Sequence, residues 1–187
     1  VASNGHAIGS IFNVNKKTSL NLTGYSGTHS DYNLDEKGML ASINHKFDDF
    51  NDITFFLGKN IEDEGILRAR GGSIFGDLSA NSTHAGFAFN SYLKDRLFLV
   101  GLFNYGIVNP NIENNFLLSN IKDITTSQFN LGLINSNIFN SNDFLIFNLS
   151  QPLQIETGST EVHLPGLMNE NGYYTYETRK ISLSPSE

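Results

Sequence analysis

The sequence predicts an all-β protein: an antiparallel up-and-down (meander) sheet of barrel-like character. Three observations predict it. Apolar residues recur at every second position through most of the chain, the period of a strand rather than a helix. The apolar runs are separated by short polar turns in which asparagine is frequent. No segment of helix length lies between them, so consecutive strands are joined as hairpins and not by crossovers. At 187 residues the chain is the length of a single domain, taken as residues 1–187. Charged residues make up 17% of it, below the roughly 25% of an ordinary soluble domain. That balance suits a sheet with two semi-apolar faces.

Ala7–Val14 and Thr18–Tyr25 read as strands joined by the polar connection Asn15-Lys16-Lys17. In the second, Leu20, Leu22 and Gly24 share one side, with Asn21, Thr23 and Tyr25 opposite. A polar loop, Ser30–Gly38, leads to Met39–Phe47, where Met39, Ala41, Ile43 and His45 oppose Leu40, Ser42 and Asn44. The turn Asp48–Asp52 precedes the strand Ile53–Gly58. Thr83–Leu93 alternates most cleanly: Ala85, Phe87 and Phe89 lie on one side, His84, Gly86, Ala88 and Asn90 on the other. The turn Lys94-Asp95-Arg96 then leads into Leu97–Ile107, apolar on both sides.

Ile107–Lys122 is the one stretch that admits a short helical turn. Ser127–Ile134 sets Phe129, Leu131 and Leu133 opposite Gln128, Asn130 and Gly132. After the turn Asn140–Asp143, Phe144–Ser150 aligns Leu145, Phe147 and Leu149, and Leu153–Glu156, Ser159–Leu164 and Tyr173–Leu183 follow, for roughly ten strands. Phe87, Phe89, Leu131, Leu133, Phe147 and Leu149 are therefore assigned to the lipid- or core-facing side. Large apolar groups facing small and polar ones suit a strand between lipid and lumen, and equally a strand of a soluble sandwich. Tyr92, Tyr105, Tyr173, Tyr174 and Tyr176 are candidates for aromatic girdles at membrane interfaces.

Composition excludes several functions. The formal net charge is −7 and no basic stripe is present, so nucleic acid is not expected as a partner. Cysteine is absent, which removes disulfides, thiol chemistry and Cys-ligated zinc. No apolar run approaches the roughly 18 residues of a membrane helix, a negative that leaves β-strand spans open. The acidic group Glu62-Asp63-Glu64-Gly65 lacks the alternating spacing of a calcium loop and reads as a solvated turn. Arg68, Arg70, Gly71 and Gly72 beside it are candidates for lining a lumen or making a bend. His45, His84 and His163 stand singly on strands. No metal, cofactor or catalytic residues are expected.

Four blocks carry a resemblance: LGKNIEDEGILRARGGSIFG (57–76), HAGFAFNSYLKDRLFLVGLFNYG (84–106), FNLSQPLQIETGSTEVHLPG (147–166) and YYTYETRKISLSPSE (173–187). The run Leu149-Ser150-Gln151-Pro152-Leu153 and the segment Ser182–Pro185 are its most specific pieces. These blocks resemble the C-terminal, autotransporter-like β-barrel region of bacterial subtilisin-like (S8 family) serine peptidases. The resemblance implies a non-catalytic outer-membrane barrel that anchors and helps translocate an upstream protease to the cell surface, with membrane lipid as partner. It also implies that the 187 residues are an incomplete fragment of that barrel, cut at both ends. Gly27-Thr28-His29 resembles the setting of a subtilisin histidine, and Gly24–Gly27 faintly a serine motif, but no helix or parallel strand is predicted to hold Ser26 and His29 as a triad requires. The alternative is a soluble β-sandwich accessory domain of a secreted peptidase.

Overall fold

The computed structural model describes residues 4–29, 34–63, 65–67, 69–70, 77–94, 96–113, 117–138, 140 and 143–185. Every regular element among them is a strand: β1 (Asn4–Asn13), β2 (Thr18–His29), β3 (Leu34–Lys46), β4 (Asp52–Asp63), β5 (Gly65–Ile66), β6 (Ala69–Arg70), β7 (Asp77–Lys94), β8 (Leu97–Glu113), β9 (Leu118–Ser136), β10 (Phe144–Met168) and β11 (Tyr174–Ser182). Nine of them form one antiparallel sheet in the order β1-β2-β3-β4-β7-β8-β9-β10-β11, and β5 and β6 pair as a small hairpin between β4 and β7. The sheet does not close, and β1 and β11 are its edges. The antiparallel meander read from the hairpin rhythm is the architecture observed.

The turns explain the register. Asn15 Oδ1 accepts from the Lys17 and Thr18 amides at 2.8 and 2.9 Å, and Asp48 Oδ1 accepts from those of Phe50 and Asn51, both at 2.9 Å. Asp143 does the same for Ile138 and Asn140 at 2.7 and 3.1 Å. Short polar side chains satisfying turn amides are what Asn and Asp supply at hairpin ends. Arg96 and Asn137, with φ of 77° and 58°, take the left-handed geometry of tight turns. All these turns lie at one end of the sheet.

Three expectations are corrected, all at the other end. The polar loop assigned to Ser30–Gly38 gives way at Leu34, where β3 begins. The stretch Ile107–Lys122 holds no helical turn among its described residues; β8 runs to Glu113 and β9 starts at Leu118. Leu153–Glu156 and Ser159–Leu164 are not separate strands but parts of the 25-residue β10, which shifts register against β9 between Gln151 and Glu161. Pro152 falls in the first of these shifts, where no ladder amide is needed. In this half of the sheet the outer face turns polar and apolar residues are sparse, so alternation gives little sign that the strands continue.

Candidate functional site: the two faces of the sheet

Cross-strand partners share a face, so the register assigns every side chain to one side. One row runs Phe12, Leu20, Ile43, Phe55, Phe87, Phe103, Phe129. The next row toward the short turns holds Thr18, His45, Ile53, Phe89, Gly101, Leu131 and Leu149, and beyond it Leu99, Leu133 and Phe147 align. All six residues expected on the apolar side therefore lie on a single face, contributed by three strands far apart in sequence. Phe55, Phe87 and Phe103 stand in a contiguous ring row, with centroids 6.3 and 5.9 Å apart.

This apolar face is the exposed one. Leu57 is 57% exposed, and Phe147 and Leu149 are each 63% exposed. The buried face carries the polar Asn60, Glu62 and Thr126 together with the apolar Ala80, Val108 and Ile124. A flat sheet exposes both faces alike; burial of one face only requires the sheet to curl around it. Both ends of the curl are open, since β1, β11 and Phe144–Ser150 of β10 are exposed on either side.

On β8 the apolar face is Leu97, Leu99, Gly101, Phe103, Tyr105 and Ile107, and then it turns polar at Asn109 and Asn111. Ten residue steps measure roughly 34 Å along a strand. At the roughly 40° tilt of barrel strands this is a band of about 25 Å, the height of the apolar belt of an outer-membrane barrel. The short-turn end of the band carries exposed Phe12, Phe47 and Phe50; Phe50 lies 5.7 Å from Tyr92, which is on the inner face by register. Tyr105 lies near the opposite limit. Tyr173, Tyr174 and Tyr176 do not join a girdle: β11 pairs only with Ser159–Met168, well past the band.

Polar groups of the buried face are joined by hydrogen bonds. Asn44 Nδ2 donates to Asp52 Oδ1 at 3.1 Å and to Thr54 Oγ1 at 2.8 Å, and Asn90 Nδ2 donates to Asp52 Oδ2 at 3.2 Å. Tyr25 Oη donates to Asn60 Oδ1 and Asn60 Nδ2 to Glu62 Oε1, both at 3.2 Å. Buried polar groups are tolerated where they are bonded in this way. Glycines make the room. A Cβ on Gly38 would stand 2.6 Å from the Tyr25 ring, one on Gly58 2.2 Å from the His84 imidazole, and one on Gly86 2.5 Å from Phe56 and 2.1 Å from the Phe103 carbonyl oxygen. Each large ring lies over the glycine directly opposite it in register.

Toward the long-strand end, Ala80, Val108 and Ile124 form an apolar cluster on this same face, with Ile66, Leu67, Ile155 and Leu183 packed against it. Ile66 and Leu67 belong to the β5–β6 segment, which is thereby seated on the curled side of the sheet. Of the candidates for lining or bending, Arg70 is placed only by its backbone in β6, and Arg68, Gly71 and Gly72 lie outside the described residues. The acidic turn is corrected: Glu62 and Asp63 end β4 and alternate across it. Glu62 is 3% exposed, while Asp63 pairs with Lys37 at 3.4 Å on the outer face.

Ser26 and His29 sit three positions apart on one continuous strand, and Ser26 is in register with His6 and Lys37. His163, read as standing alone, is bracketed: Nε2 lies 2.7 Å from Ser119 Oγ and Nδ1 2.9 Å from Thr178 Oγ1, a polar ladder across β9, β10 and β11. The partners of His163 are 44 and 15 positions away, so only register reveals the ladder. Among the described residues no group of three or more His, Asp or Glu side chains is placed to hold a metal. No protein-family model matches the chain, and no curated protein or solved structure matches it either.

Proposed function

We propose that this chain is part of a non-catalytic outer-membrane β-barrel of the autotransporter type, an anchor and translocator for an attached subtilisin-like serine protease at the bacterial cell surface. One observation carries the membrane reading. The outer face exposes a band of large apolar side chains, while the buried face mixes bonded polar groups with a small apolar cluster. Lipid is the solvent in which that arrangement is favourable, each large side chain contributing on the order of 2 kcal/mol when removed from water. The attached protease rests on the sequence resemblance alone.

The open edges specify what the complete barrel must supply. Unpaired amides and carbonyls on β1 and on Phe144–Gln154 of β10 are costly in hydrocarbon. These nine strands thus make up an arc, and the membrane reading requires its open edges to be paired. The test is folding in the presence and absence of amphiphile. Diluted from urea into phosphatidylcholine vesicles, the natural-length protein gains strand signal and runs as a compact band on an unheated gel that shifts on boiling. A folded, monodisperse monomer in plain buffer would contradict the proposal and favour the soluble accessory domain.

A further inference from the structure

The outer face is not a uniform belt. Between β2, β3, β4 and β7 it holds a groove of about 570 Å³, within the roughly 300–1,000 Å³ of small-molecule sites. Its origin is sequence-local. Leu22, Ala41 and Leu57 are in register, and the next row outward is Gly24, Met39, Lys59 and Thr83. Small residues at 24, 41 and 83 leave a hollow between the large side chains of Leu22, Met39 and Leu57, and all of them line it.

Lys59 is among the residues lining that hollow, and it shares a row with Thr83 and Ile107, where the band ends. The row beyond it is Ser26, Lys37, Ile61 and Asn81. Lys37 is already paired with Asp63, whereas Lys59 makes no hydrogen bond or ion pair among the described residues. Asp35 and Asp63 stand in register one row further out and repel an anion placed beyond Lys37. One anionic position remains, directly above an apolar trough.

We propose that this groove docks one anionic glycerophospholipid, its acyl chain lying over Leu22, Met39 and Leu57 and its phosphate paired with the Lys59 ammonium. The inference rests on the membrane reading above. A single unpaired ammonium matches a single phosphodiester; a lipid bearing several phosphates calls for a cluster of cations. A lysine stem lying along apolar surface with its head at the interface is the ordinary habit of this residue near a membrane boundary. One lysine near a charged membrane surface is worth roughly a fivefold enrichment of anionic lipid.

The chain has no tryptophan, so Ala85→Trp, in the row beside Leu57, is a clean reporter. Its fluorescence is measured in phosphatidylcholine vesicles containing a minor fraction of brominated phosphatidylglycerol or of brominated phosphatidylcholine. The expected result is several-fold stronger quenching by the phosphatidylglycerol at low salt, abolished by Lys59→Gln and retained in Lys16→Gln at the opposite end. Equal quenching by both lipids, or an excess that survives Lys59→Gln, overturns the site, as does displacement of phosphatidylglycerol by lipid A but not by its own unbrominated form. No quenching by either lipid sinks the membrane reading itself.

Discussion

Across β4, β7, β8 and β9 the two faces of one sheet follow opposite rules. Phe55, Phe87 and Phe103 on the outer face are large, apolar and 51%, 36% and 40% exposed, while Gly58, Asn60 and Val108 on the inner face are buried. Backbone, register and neighbours are shared, so the difference is made by side chains alone. Stability on one face comes from contact with what surrounds the sheet, and on the other from hydrogen bonds and close packing within it. The same substitution should therefore have different costs on the two sides.

The largest expected effect comes from charge on the outer face. Phe87→Arg, at mid-band, should cost about 2–4 kcal/mol of folding free energy in vesicles, read as a drop in the urea midpoint of the unheated gel band. Asn90→Lys, on the inner face of the same strand beside Asp52, should stay within about 0.5 kcal/mol of wild type. Equal costs at the two positions would erase the distinction between the faces.

Next come the inner glycines. Gly86→Ala brings a methyl group to 2.1 Å from the Phe103 carbonyl oxygen, a backbone atom that cannot move aside, and should destabilise by about 1–3 kcal/mol. Gly24→Ala points into the outer groove, where the nearest atom is 3.9 Å away, and should be close to neutral by the same assay. A neutral Gly86→Ala would mean that the curl is looser than described.

The smallest effect lies in a turn that belongs to neither face. The Phe50 amide, and after it the Asn51 side chain, hold the Asp48 carboxyl below its ordinary value near 3.8. A lowered carboxylate contributes stability that is fully present above the unfolded-state value and is lost as pH falls through the folded-state value. Wild type and Asp48→Asn should thus differ slightly at neutral pH and converge below about pH 4, measured as urea midpoints across a pH series. A difference that grows in acid would contradict the turn's role.

Much of this was legible in the residues. Thr83–Leu93 shows its alternation directly, and the Asn- and Asp-bearing turns mark the hairpins because their chemistry is local. The extensions of β7, β8 and β9 beyond the band were not legible, since their outer face is polar and the few apolar residues opposite, such as Ala80, Val108 and Ile124, carry a weak periodic signal. The burial of Glu62 and the bracketing of His163 depend on register between distant strands. The glycines at 38, 58 and 86 are visible in the sequence, but not the rings of Tyr25, His84 and Phe56 that need them.

The central claim is that the exposed side of the sheet meets hydrocarbon. Because the chain contains no cysteine, single cysteines at 84 through 89 of β7, each carrying an environment-sensitive fluorophore, test it most directly in vesicles containing a lipid with a quencher on its acyl chain. The account predicts quenching at positions 85, 87 and 89 and little at 84, 86 and 88. Uniformly weak quenching, unchanged when the quencher lipid is omitted, would contradict it.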